Sequence, residues 1–171
     1  MYRDRSLVPA DGTHHVVLDT GETRTPGVLN IVGEATHVLV DPADSQGRLA
    51  CFHLVAPPMS GPPLHVHSRE DEWFYVLHGE LVFEIDGVRH VVSAGGSVFL
   101  RRGVVHRYQN FTESDARLLI VTTPGDFCRF FEAMDRITPP GGLPSMEQLV
   151  ALDAEYGLTT LGPPMGPHDR P

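Results

Sequence analysis

The chain has 171 residues, enough to bury a sizeable core in one domain without disulfide or metal staples. A net charge of −9 and an isoelectric point near 5.5 argue against nucleic acid or an anionic membrane surface as the main partner. There is no apolar stretch of about 18 residues, Met1-Tyr2-Arg3-Asp4-Arg5 lacks the apolar run of a signal peptide, and Cys51 and Cys128 are too few for a disulfide framework, so a reduced, cytoplasmic protein is expected.

After an N-terminal segment, 1–13, short β-type runs separated by glycine, proline and acidic turns fill 14–123. The predicted strands are His15–Leu18, Thr36–Val40, Leu49–Ala56, Leu64–His67, Trp73–Leu77, Leu81–Ile85, Arg89–Val92, Ser97–Leu100, Val104–Tyr108 and Arg117–Thr122. Asp86-Gly87 is the strongest hairpin signal. So many short strands mean an all-β sandwich or closed barrel, and a jelly roll fits the count. No internal repeat is present.

The pattern changes after Pro124. Phe127, Phe130, Phe131 and Met134 recur at helical spacing and predict an amphipathic helix packed on the barrel. Ser145 followed by Gln148 is a capping box that opens a second helix, and Gly157 offers its stop. The helical extension is assigned to 124–161, with Thr138-Pro139-Pro140-Gly141-Gly142 as the loop between the helices. The remaining Pro/Gly tail, 162–171, is expected to drape over the barrel or stay disordered.

The chemistry concentrates in Leu64-His65-Val66-His67-Ser68-Arg69-Glu70-Asp71-Glu72 and, further on, His106. In an extended strand, positions i and i+2 face the same side, so His65 and His67 can reach one ion together. With Ser68 to Asp71 read as a polar turn, Glu72 opens the next strand and is expected beside the pair across a hairpin. Three imidazoles and a carboxylate suit a divalent transition metal and serve calcium or magnesium poorly. In six-coordinate manganese, iron, nickel or cobalt the set leaves two positions open. Zinc is a further candidate, although four protein ligands would close its tetrahedron. The other histidines lack ligand spacing, and nucleophile-elbow, P-loop and dinucleotide fingerprints are absent.

His65-x-His67, Glu72 and Gly79, followed by Gly95, Gly103, His106 and Asn110, resemble the two motifs of the cupin superfamily over about residues 50–122. Two positions depart from the pattern: the family's early glycine is Met59, with Gly61 nearby, and the proline before the second-motif turn is Arg101 of the pair Arg101-Arg102. The Gly61–Gly79 block and the segment around Ala154-Glu155-Tyr156-Gly157 look like small single-domain quercetin-dioxygenase-like cupins. That resemblance implies a jelly-roll barrel with two C-terminal helices packed outside, and a reaction in which dioxygen attacks a phenolic or enolic substrate. Glu72 would serve as metal ligand and as base for the substrate hydroxyl, and the protein would be a homodimer, as cupins commonly are. Phe74, Val76 and Tyr108 share strand parity with the ligands and are expected to line the substrate cavity. An isomerase or decarboxylase of a chelating small molecule, or a non-catalytic binding protein, would use the same ligand set.

Overall fold

The computed structural model describes residues 15–139 and 144–170; the N-terminal segment 1–13 and most of the Pro139–Leu143 loop therefore lie outside the described residues. Among the described residues, eleven strands form two antiparallel sheets. One contains β1 (Leu29–Ile31), β2 (Glu34–Val40), β3 (Ala50–Ala56), β10 (Ala116–Thr123), β5 (Asp71–His78) and β8 (Ser97–Leu100), in that order. The other contains β11 (Leu158–Gly162), β4 (Leu64–His67), β9 (His106–Gln109), β6 (Glu80–Ile85) and β7 (Val88–Ser93). The inner faces carry the core: Phe52, Leu54, Val76, Leu81, Phe83 and Leu118 are almost wholly buried. Strict alternation along β3 and β10 sends every second residue inward, as period-two side-chain direction requires.

Local chemistry explains the tight connections. Asp86 and Gly87 both take positive φ, 47° and 79°, as the two-residue hairpin between β6 and β7 demands. Gly61 lies so close to β9 that a Cβ there would collide with the Tyr108 carbonyl. Met59, where the family pattern has glycine, sits at φ 61°, a left-handed conformation that an L-residue with a side chain adopts only under strain.

Helix α1 (Phe127–Ile137) buries Phe127, Phe130, Phe131 and Met134, the four residues that its sequence spacing placed on one face. Phe131 packs edge-on against Phe52 of β3, at 4.7 Å between ring centres. Helix α2 (Met146–Tyr156) opens with the Ser145/Gln148 capping box and ends at Gly157, in left-handed conformation.

Two expectations are corrected. His15–Leu18 is not a strand: β1, which was not anticipated, pairs with the start of β2, and Val16 and Leu18 instead wall a groove on the outer side of the sheet. The stretch assigned to a helical extension up to residue 161 ends in β11, which pairs with the edge of β4 through Leu158↔His67 and Thr160↔His65. The physical reason is the open edge of β4, which needs a ladder partner, and the Leu-Thr-Thr run just past the Gly157 turn supplies one. Beyond it the tail crosses the outer face of the five-stranded sheet, where Met165 packs with Val82 and Phe111. Arg107 donates to the Pro163 carbonyl, Arg170 donates to the Phe111 carbonyl, and Arg89 pairs with Asp169.

Candidate metal centre

Both sheets contribute to the site. His65 and His67 point inward from β4, and His106 lies directly opposite His65 on β9. Glu72 comes from the facing sheet, because β4 and β5 belong to different sheets. The link between them is thus an arch over the gap and not the hairpin expected from the sequence. The consequence is chemical: imidazoles from one layer and a carboxylate from the other meet in the interior. All four side chains are buried, with His65 the most exposed at 8%.

One ligand atom from each of the four residues lies within 4.8 Å of every other. His65 Nε2 is 3.1 Å from His67 Nε2, His67 Nε2 is 3.2 Å from Glu72 Oε2, and His106 Nε2 is 2.9 Å from the same oxygen. Donors held about 2.1 Å from one ion at right angles to each other lie about 3 Å apart, so these spacings fit a single cation. The tautomers fit as well. His65 Nδ1 is 2.8 Å from the Pro63 carbonyl and His106 Nδ1 is 3.0 Å from the Val104 carbonyl. A carbonyl can only accept, so both rings carry their proton on Nδ1 and turn the Nε2 lone pair inward. When His106 is neutral that lone pair faces a carboxylate oxygen, a repulsive contact that either a second proton on the ring or a cation between them turns favourable.

The electrostatics agree at His65 and Glu72. Burial, reinforced by His106 and His67, holds His65 down at about 3, in the neutral form that ligation needs. Burial resists ionisation of Glu72, but His67 and His106 outweigh it and hold the carboxyl at about 2. Burial also works against a charged His67, but the carboxylates of Glu72 and Glu70 prevail and raise its pKa.

Phe74, Val76 and Tyr108 face the interior and are buried, as strand parity required. The Tyr108 hydroxyl donates to Glu34 Oε2 at 2.7 Å, and Ser60 Oγ donates to Glu34 Oε1 at 2.9 Å. Burial and the neighbouring Glu34 raise the Tyr108 pKa well above its usual value, which removes Tyr108 as a competing base. Asn110 binds the Ala56 and Ser114 carbonyls and caps Thr112, the work of a loop anchor. Arg102 is likewise structural and clamps Asp71 at 2.9 Å.

Sequence reasoning missed three participants. Phe127 of α1 closes over the site with its ring 4.7 Å from that of His67. Glu34 lies buried beneath Tyr108, and Glu70, assigned to a polar turn, points inward and is 3% exposed. The helical spacing that marked Phe127 as buried did not say against what. For Glu70, a carboxylate three residues after a candidate ligand histidine was the available signal.

A cupin-domain model matches residues 52–122. The oxalate-binding protein of Thermotoga maritima is 32% identical over 88 residues, 52% of this chain and 73% of that protein. The chain belongs to the cupin superfamily. This cupin is also 32% identical over 78 residues to the probable oxidoreductase PatJ of Aspergillus clavatus, a match that spans 45% of this chain but only 24% of that protein. Among solved structures, a predicted oxalate decarboxylase of Thermotoga maritima is similar at a TM-score of 0.56 and 26% identity, covering 64% of this cupin and 99% of that chain. Among the described residues, no helix is long and apolar enough to cross a membrane.

Proposed function

We propose that this cupin is a metal-dependent enzyme whose substrate is a small molecule offering a chelating hydroxyl, with a dioxygenase acting on a phenolic or enolic compound as the leading reading. The observation that supports it is the convergence of His65, His67, His106 and Glu72 on one point, with the rings of His65 and His106 anchored through Nδ1 so that Nε2 faces inward. These four residues would hold the ion, with manganese, iron, nickel or cobalt preferred over zinc. When bound, such a metal acts as a Lewis acid and offers open positions to substrate and dioxygen.

The protein's own part is proton handling and exclusion of water. Among the described residues, Glu72 is the carboxylate of the ligand cluster, placed to take a proton from a substrate hydroxyl. Held at about 2 by its imidazole neighbours, it is a weak base where it stands, and gains basicity by swinging away from His67 and His106. Phe74, Val76 and Phe127 keep the surroundings dry, which strengthens every charge interaction inside. Phe74, Val76 and Tyr108 remain our candidates for the wall that the substrate meets.

A second reading follows from the relatives named for oxalate. A decarboxylase, isomerase or binding protein for a small dicarboxylate would use the same ligands without oxygen. The close packing of Phe74 with Phe83 and Tyr108, at ring separations of 5.3 and 6.1 Å, favours a compact ligand in either case. We also infer a homodimer: Trp73, Leu77 and Phe99 are exposed on β5 and β8, and a second copy would cover them. A monomer in light scattering at micromolar concentration would refute the dimer.

The deciding assay is oxygen consumption by metal-loaded protein with a flavonol, smaller chelating enols and oxalate. Oxygen uptake with an enol supports the oxygenase. In that case Glu72→Gln, which keeps an oxygen ligand but loses basicity, should lower turnover about 100-fold while metal content falls only in part. Carbon dioxide release from oxalate without oxygen uptake would favour the second reading.

A further inference from the structure

Each of the two carbonyl-bound imidazoles is fixed from behind by the backbone two residues earlier, Pro63 for His65 and Val104 for His106. His67 has no such carbonyl. Its Nε2 sits with those of His65 and His106 beside Glu72, and a ring that gives Nε2 to the metal must carry its proton on Nδ1, yet Nδ1 is buried with no hydrogen-bond acceptor. The group nearest to meeting that need is Glu70, whose Oε2 lies 3.5 Å away and is itself buried without a donor. Two orphaned buried polar atoms facing each other would each be costly alone. A shift of about half an ångström makes them a charge-assisted hydrogen bond.

We propose that Glu70 is the positioning residue for His67, accepting the Nδ1 proton and so fixing the tautomer and tilt of the ring whose Nε2 meets the metal. The proposal rests on the metal reading above. It sets His67 apart from its two partners: a carboxylate behind an imidazole makes the ring a stronger donor than a neutral carbonyl does. The fold secures Glu70 for this task. Arg69, beside it, donates to the Glu155 carbonyl at the end of α2, while Ser68 donates to the Gly157 carbonyl through both its amide and its hydroxyl. The turn after His67 is therefore tied to the α2–β11 elbow, which holds the carboxylate inward. Glu70 also forms part of the wall of a pocket of about 240 Å³ with Pro124, Arg129 and Tyr156.

The test uses full-length protein, wild type, Glu70→Gln and Glu70→Ala, titrated with cobalt(II) against a chelator, and 15N-labelled zinc-loaded samples for NMR. Glu70→Ala should weaken cobalt binding 10- to 100-fold, in the range typical for loss of an outer partner of a ligand histidine. Glu70→Gln, which keeps an acceptor without charge, should fall between wild type and Glu70→Ala. In zinc-loaded wild type the His67 Nδ1 proton should resonate furthest downfield of the three ligand histidines. In either variant it should move or vanish, while the His65 and His106 signals stay in place. Were Glu70→Ala not to fold, Glu70→Gln alone carries the test. Equal cobalt affinity in wild type and variants, with three unmoved imidazole signals, would overturn the positioning role and leave the metal site intact. No cobalt binding by wild type would overturn both.

Discussion

Two of the carboxylates buried in the barrel interior, Glu72 and Glu34, end in opposite states. Glu72 stands among three imidazoles and is held at about 2. Glu34 has only the hydroxyls of Tyr108 and Ser60 for company, and burial pushes it up to about 7 despite both hydrogen bonds. Desolvation penalises both charges; what differs is whether a neighbour can carry positive charge. A neutral donor satisfies an oxygen without compensating the lost hydration of a charge. One carboxylate is thus kept ionised, while the other is kept close to neutral and serves as a structural acceptor.

The largest effect should come from removing one of the imidazoles. His106→Ala takes away a ligand and the neighbour that faces Glu72, and should lower transition-metal content to near zero by elemental analysis. Full metal occupancy in that variant would break the comparison at its root, because Glu72 would then owe its state to something else.

Next comes Glu34→Gln, measured as unfolding free energy against pH. Between an ordinary carboxyl value of 4.5 and about 7 the folded chain keeps a proton on Glu34 that the unfolded chain has lost. Folding there takes up a proton, so stability falls as pH rises through that window, and above about 7 the full penalty applies. At pH 8 Glu34→Gln should therefore be more stable than wild type by up to about 3 kcal/mol, and the advantage should vanish below about pH 4.5. Glu72 contributes with the opposite sign in the metal-free protein: its depressed value gives stability present above the ordinary carboxyl value and lost as the pH falls towards 2. A Glu34→Gln curve parallel to wild type would mean that Glu34 is ionised when folded.

The smallest effect concerns the loop that carries Ser60 to Glu34. Met59 is held at φ 61°, and Met59→Gly should relieve that strain at some cost in unfolded-chain entropy, for a net gain of about 1 kcal/mol by chemical denaturation. Because the change leaves Ser60 and its bond to Glu34 in place, the pH dependence should be unaffected. A loss of stability would show that the Met59 side chain contributes more by its contacts than its backbone loses.

Much of the site was legible in the sequence because strand periodicity is local. His65 and His67 had to share a face, Phe74 and Val76 had to follow Glu72 inward, and the spacing of Phe127, Phe130, Phe131 and Met134 could serve only a helix. The proposed ligand chemistry then followed from residue type, since three imidazoles and a carboxylate at such spacing have few other uses. What period and propensity cannot encode is which layer an element joins. The arch that brings Glu72 in from the opposite sheet, the recruitment of Leu158–Gly162 to the edge of β4 and the pairing of β1 with β2 all depend on edges left open elsewhere in the chain. The same holds for the buried acids. Glu70 read as part of a polar turn and nothing in the sequence singled out Glu34, and only the packed interior decided that one would sit behind His67 and the other under Tyr108, because burial and partner choice are properties of the whole fold and not of the local chain.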